Sequence, residues 1–385
     1  MDQNLDDPKS DPMAPLNSML NFAISTDSTV IPSISECAVH LLLLESFTIL
    51  RRDVQQWGKS VGIKAEVAWD IFLHLAVQRF LKWSQTRRLL EGTTPPLDVL
   101  MVWHAYMLNP GAYLDYEEAV LHGQFGGKGI AWASLRDCID MNNAAFTLPP
   151  ADEAIIVSMS LDPDLLGALK LGTVSPLVQK EIEVACSVQI DLCAAVGRQF
   201  DFSEKMFSLN WLRCPFARET LERCALEYQH FFKLIADNTE RDIMPTLHVD
   251  LVWHTHQLSP ASYRAYCDKV AGTFINHDDT PSPDDLAVAV SSSRAIPYPE
   301  SEPQYATCYC WFCEAGRVSH PGERRFDCPP GMESMIFQSV ERENHRRESH
   351  ALPTMSWVET NHAMLTLRRM NQERKCQTWA CVSGL

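Results

Sequence analysis

The chain has 385 residues, 46% hydrophobic and 21% charged, with a net charge of −16. Such a length can bury a sizeable core, and the acidic balance excludes a general nucleic-acid-binding surface, which needs clustered Lys and Arg. No apolar run nears the roughly 20 residues of a membrane span, and the acidic start Met1-Asp2-Gln3-Asn4 predicts no secretion signal. The 13 cysteines, scattered mostly as small apolar residues, then point to reduced thiols in a cytoplasmic or nuclear setting.

Residues 1–33 are acidic and aperiodic and read as a disordered tail, with a short anchoring contact at Met19–Ile24. Ser35 is the expected N-cap of a helix reaching about Trp57, with Val39, Leu42, Leu43, Phe47 and Leu50 at helical spacing. Gly58 and Gly62 punctuate a turn. A second helix is expected from Lys64 to Leu90, burying Val67, Ile71, Leu75, Phe80 and Trp83. After Pro95-Pro96 come a helix over Leu97–Leu108 and a Pro110-started helix with Tyr113 and Tyr116 on one face. Gly126-Gly127-Lys128-Gly129 lacks the spacing and the Ser/Thr of a phosphate loop. Residues 150–172 connect two lobes through one short helix, and helices over Pro176–Gln199 and Cys214–Asn238 follow. Residues 276–305 form a linker; its first 28 residues hold five Pro and six acidic residues against one Arg. The remainder, 306–385, carries a cysteine cluster and several Arg pairs, with a terminal helix expected over Met364–Arg374.

One relation organises this order. Residues 95–116 and 245–266 align without a gap, and ten of the 22 positions are identical, including Trp103/Trp253, His104/His254, Pro110/Pro260, Tyr113/Tyr263 and Tyr116/Tyr266. The reading is an internal duplication. The fold expected is mainly α: two helical repeats, 35–150 and 151–275, about a pseudo-twofold axis, with a small irregular cysteine-containing extension.

On a helix, His254 interrupts the apolar stripe Leu247, Leu251 and Leu258, and His104 does the same in the first stretch. A packing reading makes both neutral, hydrogen-bonded core imidazoles. A metal reading brings His104 and His254 together, completed by Asp250 one turn before His254, as a site for iron or zinc. His256 points away from His254, and its counterpart is Tyr106. The Trp and Tyr residues read as core and interface groups whose N–H and O–H find partners. Cys308, Cys310, Cys313 and Cys328 offer a zinc knot, with His320 as a substitute ligand. Against it stands a β-hairpin reading of structural thiols packed by Tyr309, Trp311 and Phe312; a redox Cys-x-x-Cys pair lacks a βαβ context. The Arg pairs read as a solvated helix face bound to the acidic body.

The stretches Leu97-Asp98-Val99-Leu100-Met101-Val102-Trp103-His104 and Leu247-His248-Val249-Asp250-Leu251-Val252-Trp253-His254, each with a proline six residues on, resemble the N-terminal module of the glycine-rich domain-containing proteins. The resemblance spans about residues 35–275, and the cysteine cluster is similar to the segment that follows this module in fungal members. Plant members are associated with development and stress, and some carry a separate RNA-recognition domain. This chain has 16 Gly in all, no glycine-rich tail and no RNA-recognition signature, so RNA binding does not transfer. The preferred expectation is a non-enzymatic interaction or scaffold module for a protein partner, with no catalytic residue. The alternative is a metal-dependent enzyme of non-haem iron oxygenase type at His104, Asp250 and His254.

Overall fold

The computed structural model describes residue 19 and residues 31–86, 93–123, 125–174, 190–238, 243–277, 309–320 and 330–355. Thirteen α-helices occupy these residues, with one isolated bridge, Ile139 to Phe146, and no extended strand among them. The mainly α expectation is borne out.

Helix α1 (Ile34–Ser60) starts two residues earlier than expected, because Ser33 and Glu36 form a capping box. Ser35 instead donates its hydroxyl to the carbonyl of Met19 (2.6 Å), whose side chain is buried. From Ser35 to Thr48 every residue of α1 is buried. A helix apolar on all sides belongs in the middle of a bundle, and α1 packs against α2 (Ala65–Ser84), α8 (Leu192–Leu209), α9 (Ala217–Asp237) and α10 (Leu247–Gln257). Burying Leu41 through Leu44 alone contributes on the order of 2 kcal/mol per side chain before entropy is counted.

Helix α2 presents a different face from the expected one. Val67 and Ile71 are exposed, whereas Ala68, Trp69, Phe72, Leu73 and Ala76 line the core beside Phe80 and Trp83. The expectation followed the β-branched positions; the tryptophan and phenylalanine one residue further on bury more area and set the rotation.

The first Trp-His stretch forms α3 (Leu97–Met107) and α4 (Pro110–Ala119), the second α10 and α11 (Pro260–Val270). Between them lie the short helices α5 (Trp132–Cys138), α6 (Pro150–Ser158) and α7 (Leu165–Leu171). Of the helix expected over Pro176–Gln199, residues 175–189 lie outside the described residues; α8 begins afresh, with the Asp191 side chain accepting from the Ala194 amide. It continues ten residues past Gln199, to Leu209, and ends at Asn210 in the left-handed conformation (φ 47°). The buried face expected of α9 is seen: Leu221, Cys224, Tyr228, Phe231 and Phe232 are all buried. Helix α8 packs against α1 and α3, while α1 packs against α8 and α10, so the two central helices each reach a Trp-His helix.

The C-terminal part is helical where a hairpin was expected. Cys310 caps α12 (Trp311–Ser319), which pairs with α13 (Pro330–Ser349). Together with Cys214 and Phe216 of the body they enclose a second apolar cluster. Arg346 and Arg347 bind the acidic body, as expected, but Arg346 is half-buried and Arg347 buried, not on a solvated face: Arg346 reaches Glu45 (2.9 Å), and Arg347 bonds Glu343 (2.7 Å) and the Phe207 carbonyl (2.7 Å). The expected helix over Met364–Arg374 and most of the N-terminal tail lie outside the described residues. No described helix is long and apolar enough to cross a membrane.

Candidate metal centre

Each Trp-His helix is locked to the helix after it by the same bond. Trp103 Nε1 donates to the Tyr113 hydroxyl (3.0 Å), and Trp253 Nε1 donates to that of Tyr263 (2.9 Å). The prolines that open α4 and α11 make the intervening turn short, leaving the Leu108 and Leu258 carbonyls to be satisfied from elsewhere. In both turns the donor comes from beyond the other stretch. The Ile130 amide donates to Leu258 O (2.9 Å), and His277 Nδ1 donates to Leu108 O (2.8 Å). Beside these, Ala261 N donates to Gly127 O (3.0 Å) and Gly111 N to Asn276 Oδ1 (3.0 Å). Gly129 permits the first approach: a Cβ there would stand 1.9 Å from Leu258 O.

This second contact carries a side chain that the sequence reading placed in the linker. With Nδ1 donating to Leu108, the other ring nitrogen of His277, Nε2, lies 3.3 Å from His254 Nε2 and 4.0 Å from Asp250 Oδ1. Asp250 Oδ1 is 3.1 Å from His254 Nε2, the i, i+4 proximity expected on α10, yet no donor reaches it in hydrogen-bonding geometry. The three ligand atoms lie within 4.8 Å of one another. Among the described residues no hydrogen-bond partner reaches the buried His254 Nδ1, and the ring's polar contacts fall on Nε2. Phe202 of α8 and Trp253 wall the cluster, with ring centroids 4.6 Å from His254 and 4.9 Å from His277. Burial pushes the Asp250 carboxyl up, but His254, then His277 and Lys205, outweigh it and hold the group below its usual range. Asp250 keeps a fifth of its side chain exposed, but the Oδ1 that faces the two imidazoles is buried.

His104 does not join this trio. It meets His40 of α1, Nε2 to Nε2 at 2.9 Å, and both rings are buried. The Thr255 hydroxyl donates its proton to Leu251 O (2.7 Å), so His40 Nδ1 donates to Thr255 Oγ1 (2.9 Å). Burial pulls His104 down to about 3 and His40 well below the ordinary imidazole value, with His254 near enough to add repulsion to both. The expected pairing of Asp250 with His254 is therefore present, the expected meeting of His104 with His254 is replaced by two separate imidazole pairs, and His40 and His277 were missed. His256 faces elsewhere, to the Tyr228 hydroxyl (2.9 Å). Of the four cysteines, Cys310 and Cys313 are buried on one turn of α12, and Cys308 and Cys328 lie outside the described residues.

Among the described residues the fold is helical, and it brings a buried imidazole–carboxylate cluster together where α10 meets the segment after α11. Residues 169–268 match the family described as "Glycine-rich domain-containing protein-like". The chain is similar to Glycine-rich domain-containing protein 1 of Arabidopsis thaliana, 32% identical over 209 residues, covering 52% of this chain and 24% of that protein. It is also similar to Glycine-rich domain-containing protein 2 of the same plant, 28% identical over 206 residues with the same coverage. No solved structure matches. These findings support the resemblance carried by the Trp-His stretches: the chain bears a glycine-rich domain-containing protein-like domain, and it spans about a quarter of the length of these relatives.

Proposed function

We propose that the helical module is a metal-dependent catalytic module whose ion is held by Asp250, His254 and His277. The observation that carries this is the convergence of three ligand atoms within 4.8 Å. Two imidazoles and one carboxylate are the set that non-haem iron(II) sites use, with the other coordination positions left for oxygen and substrate; the same donors suit zinc. His277 takes the place that the sequence reading gave to His104. The ring's orientation is already set by its bond to Leu108, the outer support that ligating histidines use. Metal content by mass spectrometry on the full chain tests the reading. Stoichiometric iron or zinc, lost in Asp250→Ala and His277→Ala, is the expected result; an ion-free protein after reconstitution, or an ion indifferent to both changes, overturns it.

A second reading, a non-enzymatic interaction or scaffold module for a protein partner in the cytoplasm or nucleus, is favoured by how the body receives its own C-terminal segment. Tyr309 is buried, stacks on His248 at 4.0 Å between centroids and donates its hydroxyl to Glu227. A body that binds one such segment offers a surface of the kind that binds another. His254→Ala with metal content unchanged and stability lowered favours this reading. The zinc proposal at Cys308, Cys310, Cys313 and Cys328 is independent of both, and Cys310→Ala/Cys313→Ala tests it by loss of zinc.

A further inference from the structure

We propose that Gln257 is a positioning residue of the candidate metal centre: with an ion at His254 Nε2, its side-chain carbonyl takes the proton that His254 carries on Nδ1. This rests on the reading of Asp250, His254 and His277 as that centre, and it names an outer support for His254. An imidazole that gives one nitrogen to an ion holds its proton on the other, and that N–H is bonded to an acceptor which fixes the ring. His277 has this support already, from Nδ1 to Leu108 O (2.8 Å). For His254 no described residue supplies it, and its Nδ1 is buried. The tautomer that binds an ion through Nε2 would then bury a donor whose bond is unmade.

A matching deficit lies one turn further along α10. Gln257 is 1% exposed, and neither Oε1 nor Nε2 has a hydrogen-bond partner among the described residues. A side-chain amide brings an acceptor and two donors, so an unbonded one in the interior calls for a reason. Positions 254 and 257 are neighbours at i, i+3 on α10. Helical side chains lean back over the turn before them, which carries the Gln257 amide toward His254. The two groups are not bonded to each other here, so the bond is one that a side-chain rotation at Gln257 makes. Packing alone does not ask for a polar group at this place. The equivalent residue of the first stretch is Met107, of similar length and also 1% exposed. That stretch has Leu100 for Asp250 and Gly127 for His277 as well, so the amide is present with the candidate ligands and absent with them. The competing arrangement is a Gln257 that only packs, or bonds an internal water.

The full chain, stripped with a chelator and titrated with Co(II), separates the cases. Cobalt is the probe because thiolate ligation at Cys310 and Cys313 adds a charge-transfer absorption that nitrogen and oxygen ligands lack. Wild type should bind one equivalent without that absorption. Gln257→Met, which introduces the residue of the first stretch, should bind it about 10–100-fold more weakly, the range for outer supports of metal ligands. Its urea midpoint, measured on stripped protein, should be unchanged or higher, because an unbonded buried amide has been removed. Gln257→Glu keeps an oxygen within reach of Nδ1 and should bind within a few-fold of wild type. Equal affinity in Gln257→Met overturns the positioning role and leaves the centre standing. Weaker binding together with a lower midpoint assigns Gln257 to packing and overturns the role too, as does a folded Gln257→Glu that binds no tighter than Gln257→Met. Cobalt bound only at the cysteines in wild type overturns the centre and the role together. If Gln257→Glu does not fold, Gln257→Met decides alone through its affinity and midpoint.

Discussion

The two Trp-His stretches agree in what holds them and differ in what they can do. Both have a Trp–Tyr bond between helix and following helix, and both have a turn carbonyl capped from beyond the other stretch. The candidate ligands sit at the positions that diverge. Leu100 stands where Asp250 stands, Tyr106 where His256 stands, and a glycine, Gly127, where His277 stands. Even the buried ion pair between the long helix and the Trp-His helix changes polarity. Arg79 Nε binds Asp98 (2.6 Å) in the first stretch, and His248 Nε2 binds Glu227 (2.6 Å) in the second. A shared frame thus carries one closed imidazole pair and one pair opened by a carboxylate.

The ion pairs give the largest test of this contrast. Asp98→Leu leaves the buried Arg79 guanidinium with only Asp162, whose carboxylate stands 3.6 Å away, and should cost about 3 kcal/mol in urea unfolding. Glu227→Gln keeps a side-chain oxygen within reach of His248 and removes only the carboxylate's charge, and the loss should be nearer 1–2 kcal/mol. Equal losses would mean that the two pairs contribute alike despite their different chemistry.

Next come the caps. Gly129→Ala drives a Cβ into the backbone at Leu258 and should destabilise by about 3 kcal/mol. Gly111→Ala meets only the Asn276 side chain, at 2.9 Å, and should cost about 1 kcal/mol. The milder change should nevertheless weaken metal binding more, because it displaces the residue before His277. Isothermal titration of both variants with Co(II) reads the difference, and a metal effect from Gly129→Ala alone would contradict it.

Removing the shared Trp–Tyr bond should be nearly symmetrical. Trp103→Phe and Trp253→Phe should each lose about 1 kcal/mol of stability. Only the second should also lower metal affinity, since Trp253 packs edge-on against His277.

The smallest effect is with pH. Burial pushes Glu227 and Glu343 up, but His248 in one case and Arg346, Arg213 and Arg347 in the other outweigh it, holding both below the ordinary 4.5. A depressed carboxylate stabilises the fold fully above that value and loses its contribution as pH falls through its folded pKa. Acidification below about pH 4.5 should therefore loosen the C-terminal helices by on the order of 1 kcal/mol per carboxylate. Fluorescence of Trp211 and Trp311, whose indoles bond Tyr309 O (2.8 Å) and Leu209 O (3.0 Å) across that seam, follows the release. A signal flat down to complete unfolding would place the seam's stability elsewhere.

Local periodicity made much of this legible. The apolar spacing located α1 through α4 and α9 through α11, and the i, i+4 rule put Asp250 beside His254. Tertiary choices were not legible. His40 sits in the run Ala38-Val39-His40-Leu41, where nothing local shows that its ring meets His104. His277 opens a proline-rich acidic stretch, so composition assigned it to a linker; the signal available was its place at the edge of the helical region, as the one histidine before two aspartates. Helix α13 was missed because its polar face is buried by ion pairing and not by apolar area, a contribution that hydrophobic patterning does not register.

The bond from His277 to Leu108 has a practical reach. A fragment ended at Phe274 or Ile275, after the last helix of the body, would keep every helix of both stretches and lack one of the three proposed ligands. The family match ends earlier still, at residue 268. A fragment ended at any of these points would still lack the third group, so only a chain carried past residue 277 would present the cluster whole.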